Sequence, residues 1–218
     1  MLDSQTLAMM AEGTGATLYM TLMSTLFGYI LGLPMGIILV VTAPKGLRPN
    51  QVVYRMLDVI VNITRSIPFL ILMILIMPFT RILVGKTYGT TATIVPLALA
   101  AAPFIARMVE SSLLEVDHGV IEAAQSMGAS LWTIIWKVLL AEARTSLIVG
   151  ATIALGTILG YSAMAGTIGG GGLGMRYGYY RYQADIMIIA VVLLVLLVQI
   201  LQVVGMILSK KLDRRNTR

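Results

Sequence analysis

The chain has 218 residues, of which 58% are hydrophobic and 12% are charged, and its formal net charge is +6. Soluble domains contain about 25% charged residues, so a soluble enzyme or a disordered chain of this composition is excluded. The absence of cysteine excludes thiolate metal sites, and a single histidine excludes multi-histidine sites. In so apolar a chain, the basic excess indicates membrane topology rather than nucleic acid binding. We expect one all-α integral membrane domain over residues 1–218, with no metal or cofactor of its own.

Long uncharged runs predict five membrane-spanning helices, because a span needs about 20 apolar residues. The predicted spans cover about residues 15–43, 66–85, 88–107, 145–165 and 186–208. The second is short unless Arg81 extends to the interface. If the C-terminus is cytoplasmic, 12 of the 16 Lys and Arg residues lie inside. This bias predicts an outer N-terminus and a cytoplasmic C-terminus.

Small residues and prolines interrupt the predicted spans. Small residues four positions apart allow close helix packing, either within one chain or between two copies. They are Gly28, Gly32 and Gly36 in the first span, and Gly156 and Gly160 in the fourth. Prolines in or near the second and third spans favour kinked helices that line a cavity, as in a transporter. They are Pro68, Pro78, Pro96 and Pro103.

The segment 108–144, between the third and fourth spans, predicts a helix-turn-helix at the inner membrane surface. Asp117 is a candidate N-cap of the first helix, Gly128 a left-handed stop, and Ser130 the cap of the second. The apolar positions recur at helical spacing. They are Val120, Ala123 or Ala124, and Met127, then Leu131, Ile134, Ile135 and Val138. Two interpretations stay open, namely a surface that docks a partner and an interfacial helix that contacts lipid headgroups.

The same segment carries a motif. Glu122-Ala123-Ala124 is followed after three residues by Gly128, and after nine more by Val138-x-Leu140-Ala141. This resembles the EAA loop of ABC importer permeases, in which the last four positions are Ile-x-Leu-Pro, so Ala141 stands where proline is usual. Three further blocks are similar to the methionine branch of these permeases. They are Asn62–Phe69, Ala102–Glu110, and Gly160–Met164 with the glycines at 169–174.

The resemblance implies the permease fold of type I ABC importers, in the bacterial inner membrane. It implies ATP-driven methionine import by alternating access, with Glu122, Ala123, Ala124 and Gly128 coupling the chain to an ATPase. The implied partners are two copies of that ATPase, which binds ATP and Mg, a second copy of this chain, a methionine-binding protein and membrane lipid. Import of another polar amino acid is the nearest alternative. A passive channel or a membrane scaffold subunit is an alternative of a different class.

Several side chains are candidates for the pathway and its borders. Tyr161, Ser162 and Met164 combine hydroxyls with a thioether, which suits methionine, although helix packing is the other interpretation. Arg65 and Arg107 are expected on the inner side, paired with Glu110 or with headgroups. Outer tyrosines predict an interfacial aromatic belt, and contact with the binding protein is the alternative. They are Tyr177, Tyr179, Tyr180 and Tyr182.

A glycine-rich segment follows the fourth span. Gly169, Gly171 and Gly174 match Gly-x-Gly-x-x-Gly, but an apolar span precedes them, so a dinucleotide site is not expected. We expect a flexible turn on the outer side. The segment also lacks the Gly-Lys-Ser/Thr of a phosphate-binding loop, so we expect ATP hydrolysis in another polypeptide.

Overall fold

The computed structural model describes residues 4–174 and 184–212, and this part of the chain contains helices and no strand. The helices are α1 (Ser4–Thr42), α2 (Gln51–Ser66), α3 (Phe69–Val84), α4 (Thr90–Leu114), α5 (His118–Ser126), α6 (Leu131–Thr133), α7 (Leu140–Glu142), α8 (Arg144–Ala165) and α9 (Ala184–Leu212). Two π-helical turns, Ile134–Leu139 and Gly166–Gly170, continue α6 and α8. The all-α prediction is confirmed.

Four helices, α1, α4, α8 and α9, are long and apolar enough to cross a membrane by themselves. They correspond to the first, third, fourth and fifth predicted spans. The second predicted span corresponds to α3, whose 16 residues are about 24 Å long, less than the roughly 30 Å of a bilayer core. Together α2 and α3 pass the same test as a pair bent by 111°. The bundle therefore offers up to five crossings, one of them broken.

The break between α2 and α3 follows from Pro68. Proline has no backbone N–H and disfavours a helical conformation in the residue before it, and Ile67 has an extended backbone. Asn50 begins α2 by accepting bonds from the N–H groups of Val52 and Val53. The separate helix α2 was not predicted. Its signal was an apolar stripe at helical spacing, which is exposed in the single chain. The stripe comprises Val52, Met56, Val59, Ile60 and Ile63.

The most extensive helix pair in the bundle is α1 with α4, and glycines allow these two helices to approach closely. A Cβ atom on Gly32 would lie 2.6 Å from the carbonyl oxygen of Ala102, and one on Gly36 would lie 2.7 Å from that of Ala106. Gly28 contacts α4 one turn earlier, at Ala101 and Ile105. The stripe thus packs within one chain, the first of the two interpretations of its spacing. Gly160, by contrast, has nothing within 4 Å of its Cβ direction.

The second half of the bundle is α8 packed between α4 and α9. The most apolar 18-residue window of α9 is only 6% buried within the chain. Large apolar side chains such as Val195 and Ile200 are therefore exposed on its surface. A helix of this kind is stable where lipid covers it, in accord with an integral membrane protein.

The glycine-rich segment after α8 is packed, which corrects the expectation of a flexible turn. Gly169, Gly171 and Gly172 have positive φ, which allows the chain to fold back onto α1 and α4. Leu173 is fully buried, and its N–H donates to Thr17 Oγ1 at 2.9 Å. The N–H of Gly89 donates to the carbonyl of Gly169 at 2.9 Å. Close approach is a second reason for glycine here, because a Cβ on Gly172 would lie 2.6 Å from Thr17 Oγ1.

Candidate docking loop and pathway residues

The helix-turn-helix in segment 108–144 forms as its caps predict. Asp117 Oδ1 accepts a bond of 2.7 Å from the N–H of Gly119 at the start of α5. Gly128 ends the helix with φ +76°, and the N–H of Ala129 then donates to the carbonyl of Ala124. Ser130 Oγ accepts from the N–H of Thr133 at 3.3 Å and begins α6.

One side of this segment is anchored in the core. Ala124, Ile134, Ile135 and Leu139 are each at most 5% exposed, and they pack with the ends of α1, α4 and α8 in one apolar cluster. The π-helical turn places Ile134, Ile135 and Leu139 on the buried side together. A displacement of α5 would therefore be transmitted to the membrane helices through packed side chains.

The other side of the segment is exposed. The side chain of Glu122 is 66% exposed, and Ala123 beside it is also exposed. Met127 is 81% exposed, and Val120 is accessible on the same helix. Trp132 follows on α6 at 70% exposed. The exposed side of α5 is therefore an apolar surface with one carboxylate, that of Glu122. A surface of this kind can bind in a groove of a partner protein.

The four residues of the motif therefore occupy different positions in the structure. Glu122 and Ala123 face outward, Ala124 faces the core, and Gly128 makes the turn. Glu122 is also near His118 on the same helix, with 3.8 Å between His118 Nε2 and Glu122 Oε1. A cavity of about 460 Å³ lies between this helix and the end of α1, and Glu122, Gln125 and Lys45 are among its lining residues.

A cluster of polar side chains joins α2 to α4. Arg107 Nη1 donates to Glu110 Oε2 at 2.6 Å, which confirms the predicted pair. The Nη2 atom donates to both Asp58 and Asn62 on α2, the latter at 2.8 Å. Glu110 is only 8% exposed, so it depends on the guanidinium for neutralisation. The α2 members were not predicted, because no local spacing relates them to Arg107.

The three predicted pathway residues do not converge on one surface. The ring of Tyr161 is stacked on Phe69 of α3. Ser162 is 1% exposed, and its hydroxyl donates to the carbonyl of Leu159 at 2.7 Å, within its own helix. Met164 is 49% exposed. Tyr161 and Met164 share a side of α8, because three residues make nearly one turn, whereas Ser162 points elsewhere.

Tyr161 instead meets residues from the broken helix pair. A cavity of about 140 Å³ lies beside it, between the α2–α3 break, α4 and α8. Its lining includes Arg65, Phe69, Leu72 and Phe104. Phe69 and Phe104 were not predicted to lie beside Tyr161. The four tyrosines at 177–182 lie outside the described residues.

These features define a class: an all-helical membrane protein with a broken span and an anchored, partner-facing loop. The chain belongs to the family of binding-protein-dependent transport system inner membrane components, whose family model matches residues 28–218.

A probable D-methionine transport system permease protein of Vibrio cholerae is 50% identical over 210 residues, which cover 95% of this chain and 93% of the relative. The D-methionine transport system permease protein of Escherichia coli K12 is 51% identical over 158 residues, covering 72% and 73%. Among solved structures, the MetNI methionine ABC transporter in inward-facing conformations matches with a TM-score of 0.95 and 47% identity. That match covers 97% of this chain and 100% of the solved chain.

Proposed function

We propose that this chain is the membrane-spanning subunit of an ATP-driven importer of methionine. Two observations support this proposal. Relatives named as methionine transport permeases are about 50% identical to the chain. Segment 108–144 also forms a loop that is anchored in the core on one side and exposed to a partner on the other. Family membership makes it a permease component of the inner membrane. In this proposal two copies of the chain enclose the pathway, and a separate ATPase subunit binds and hydrolyses ATP.

The outward side of α5 carries the coupling step. In the proposal, Glu122, Ala123 and Met127 seat in a groove of the ATPase, and this end of the bundle is cytoplasmic. Closure of the ATPase dimer displaces α5, and the core contacts of Ala124 carry the displacement to α1, α4 and α8. Alternating access follows as a rigid movement of the bundle, because packed interfaces move as units.

The opposite half of the bundle supplies the pathway. Of the three predicted pathway residues, Tyr161 and Met164 are the ones proposed to contact a solute, because Ser162 is buried and bonded within its helix. The methionine-binding protein delivers the solute from the outer side, at the end of the bundle opposite α5. Solute specificity then depends on that protein and on the residues around Tyr161.

The test is ATP-dependent uptake of labelled L- and D-methionine into proteoliposomes. The vesicles contain this chain with its ATPase, with binding protein outside and ATP inside. We expect uptake by the wild type and none by the double variant Glu122→Arg with Gly128→Pro. The matched control is Glu142→Arg, an exposed charge reversal in the same segment but outside 122–128, which retains uptake.

The other outcomes separate the alternatives. ATPase activity stimulated by the binding protein, without methionine uptake, would keep the permease and reject the substrate. Methionine flux without ATP would favour a passive channel. Failure of the chain to form a complex with the ATPase would reject coupling through α5.

A further inference from the structure

We infer that the cavity at the α2–α3 break is a binding subsite for the carboxylate of the transported amino acid, with Arg65 as its cationic residue. The inference rests on the proposed function and deepens it. The cavity has a volume of about 140 Å³. Its described lining is Thr64, Arg65, Ile67, Phe69, Leu72, Ala100, Phe104 and Tyr161.

The position of Ala100 along α4 gives the depth of the cavity. Ala100 lies ten residues after the start of α4 and fourteen before its end, which is about 15 Å and about 21 Å along the axis. Residues after 107 belong to the predicted cytoplasmic segment, so Ala100 lies about 10 Å inside the inner end of the third predicted span. The cavity is thus within the membrane, on the inner side of its centre.

A guanidinium at this depth has a cost in free energy. Charged side chains inside a membrane are expensive, and they occur where they face a cavity and serve an ion or substrate. Among the described lining residues, Arg65 is the only charged one, and no acidic side chain lines the cavity beside it. By contrast, the guanidinium of Arg107, on the neighbouring helix α4, forms ion pairs with two carboxylates. Arg65 is exposed in the single chain, so its guanidinium is accessible and offers a positive charge to an incoming anion.

The break between α2 and α3 forms one wall of the cavity. Irregular backbone at membrane depth is tolerated where it lines a cavity, and transporters place solute sites at such breaks near the midplane. Here the break at Ile67 and Pro68 brings Arg65 and Phe69 to the same cavity. Arginine binds carboxylates through two parallel N–H bonds, so it suits an amino acid.

The remaining walls suit the other end of a thioether amino acid. Phe69 and Tyr161 stack with ring centroids 4.6 Å apart, and Leu72 and Phe104 complete an apolar surface. Sulfur next to an aromatic ring edge is a favourable contact. The cavity is small for a whole ligand, so it holds the carboxylate end, and the side chain extends along the aromatic wall.

The test uses the assembled complex of this chain with its ATPase, reconstituted into vesicles. The probe is a diazirine analogue of methionine that keeps the α-amino and α-carboxylate groups, and labelled peptides are identified by mass spectrometry. We expect label on α3, α4 and α8 segments around Phe69, Phe104 and Tyr161. Methionine should compete with the label, and methionine amide, which lacks the carboxylate, should not.

Variants then test whether Arg65 is the residue that binds the carboxylate. Arg65→Gln should lower the competable label about tenfold, because a bond to a charged group is lost, and Arg65→Lys should retain part of it. Arg55→Gln is the matched control, since Arg55 is exposed on the same helix and does not line the cavity. Basal ATPase activity should be the same in Arg55→Gln and in the wild type.

Three results would overturn the inference. The first is wild-type label elsewhere on the chain while ATP-driven methionine uptake persists, which would leave the proposed function intact. The second is a defect of Arg65→Gln seen only in vesicles with anionic lipid, which would make Arg65 a lipid contact. The third is equal label in Arg65→Gln and the wild type. Absence of methionine uptake by the wild type would instead reject the proposed function itself.

Discussion

The ring of Tyr161 in α8 lies parallel to the ring of Phe69 in α3, with centroids 4.6 Å apart and 2° between the planes. This stack joins the first residue of the second half of the broken span to the helix that carries the candidate pathway residues. It fixes α3 relative to α8 at the point where Pro68 has removed backbone continuity.

The first prediction concerns this stack. Tyr161→Leu and Phe69→Leu should each lower the Tm of the purified complex, because aromatic pairs contribute about 1 kcal/mol beyond the area they bury. The Tm decrease of the double variant should be smaller than the sum of the single decreases, since both remove the same contact. Tyr161→Phe is the control and should keep the wild-type Tm. Strictly additive decreases would show that the rings do not interact.

The glycine stripe of α1 gives the second prediction. Gly32→Ala should destabilise the chain by about 1–3 kcal/mol, because its Cβ would meet a backbone carbonyl of α4 at 2.6 Å and no flexible side chain can yield. The measurement is the Tm, together with the monodisperse fraction after extraction. Gly15→Ala, on the same helix with nothing within 4 Å, is the control and should be neutral or stabilising. Equal behaviour of the two variants would contradict the close α1–α4 packing.

The turn after α5 gives the third prediction. Gly128→Ala should cost about 1 kcal/mol, because alanine is strained at φ +76°, whereas Gly128→Asn should cost less, because asparagine tolerates left-handed conformations. Binding-protein-stimulated ATPase activity and methionine uptake, measured in parallel, should fall more in the alanine variant. If alanine and asparagine have the same effect, the strain argument fails and a contact at Gly128 is the better account.

Local chemistry made much of this loop predictable. The caps Asp117 and Ser130 act on N–H groups two or three residues away, and the Arg107–Glu110 pair spans three residues, so sequence spacing is enough. Asp58 joins the same guanidinium across 49 residues, and no local rule brings it there.

The same distinction explains the errors. The glycines at 169–174 indicate conformational freedom by their composition, whereas in the structure they allow close approach to Thr17 and Thr93 of other helices. The orientation of Ser162 was equally hidden, because an apolar helix surrounded by lipid and protein has no polar face to indicate its inner side. Arg65 was expected on the inner side, with Glu110 or headgroups as partners, and the cavity that it lines at the bend was not predicted.

The fourth prediction concerns the cluster at Arg107. Arg107→Gln should destabilise the chain by about 2–3 kcal/mol, because Glu110 would keep its charge in a largely buried position without a cation. Adding Glu110→Gln to that variant should restore part of the stability, since it removes the unpaired charge. The measurement is the urea midpoint or the Tm of the complex. A double variant less stable than Arg107→Gln would show that desolvation of Glu110 is not the cause.

The fifth prediction concerns the bond between Leu173 and Thr17. Thr17→Val keeps the shape of the side chain but removes the oxygen that accepts the buried Leu173 N–H. A buried N–H without a partner costs about 1–3 kcal/mol, so the turn after α8 should open more often from α1. Amide hydrogen exchange at Leu173 should accelerate about tenfold or more, while exchange in the middle of α4 stays unchanged. Thr25→Val is the matched control, because Thr25 donates only to the carbonyl of Thr21 in its own helix. Leu173 exchange as slow in Thr17→Val as in the control would mean that glycine packing, rather than this hydrogen bond, holds the turn against the bundle.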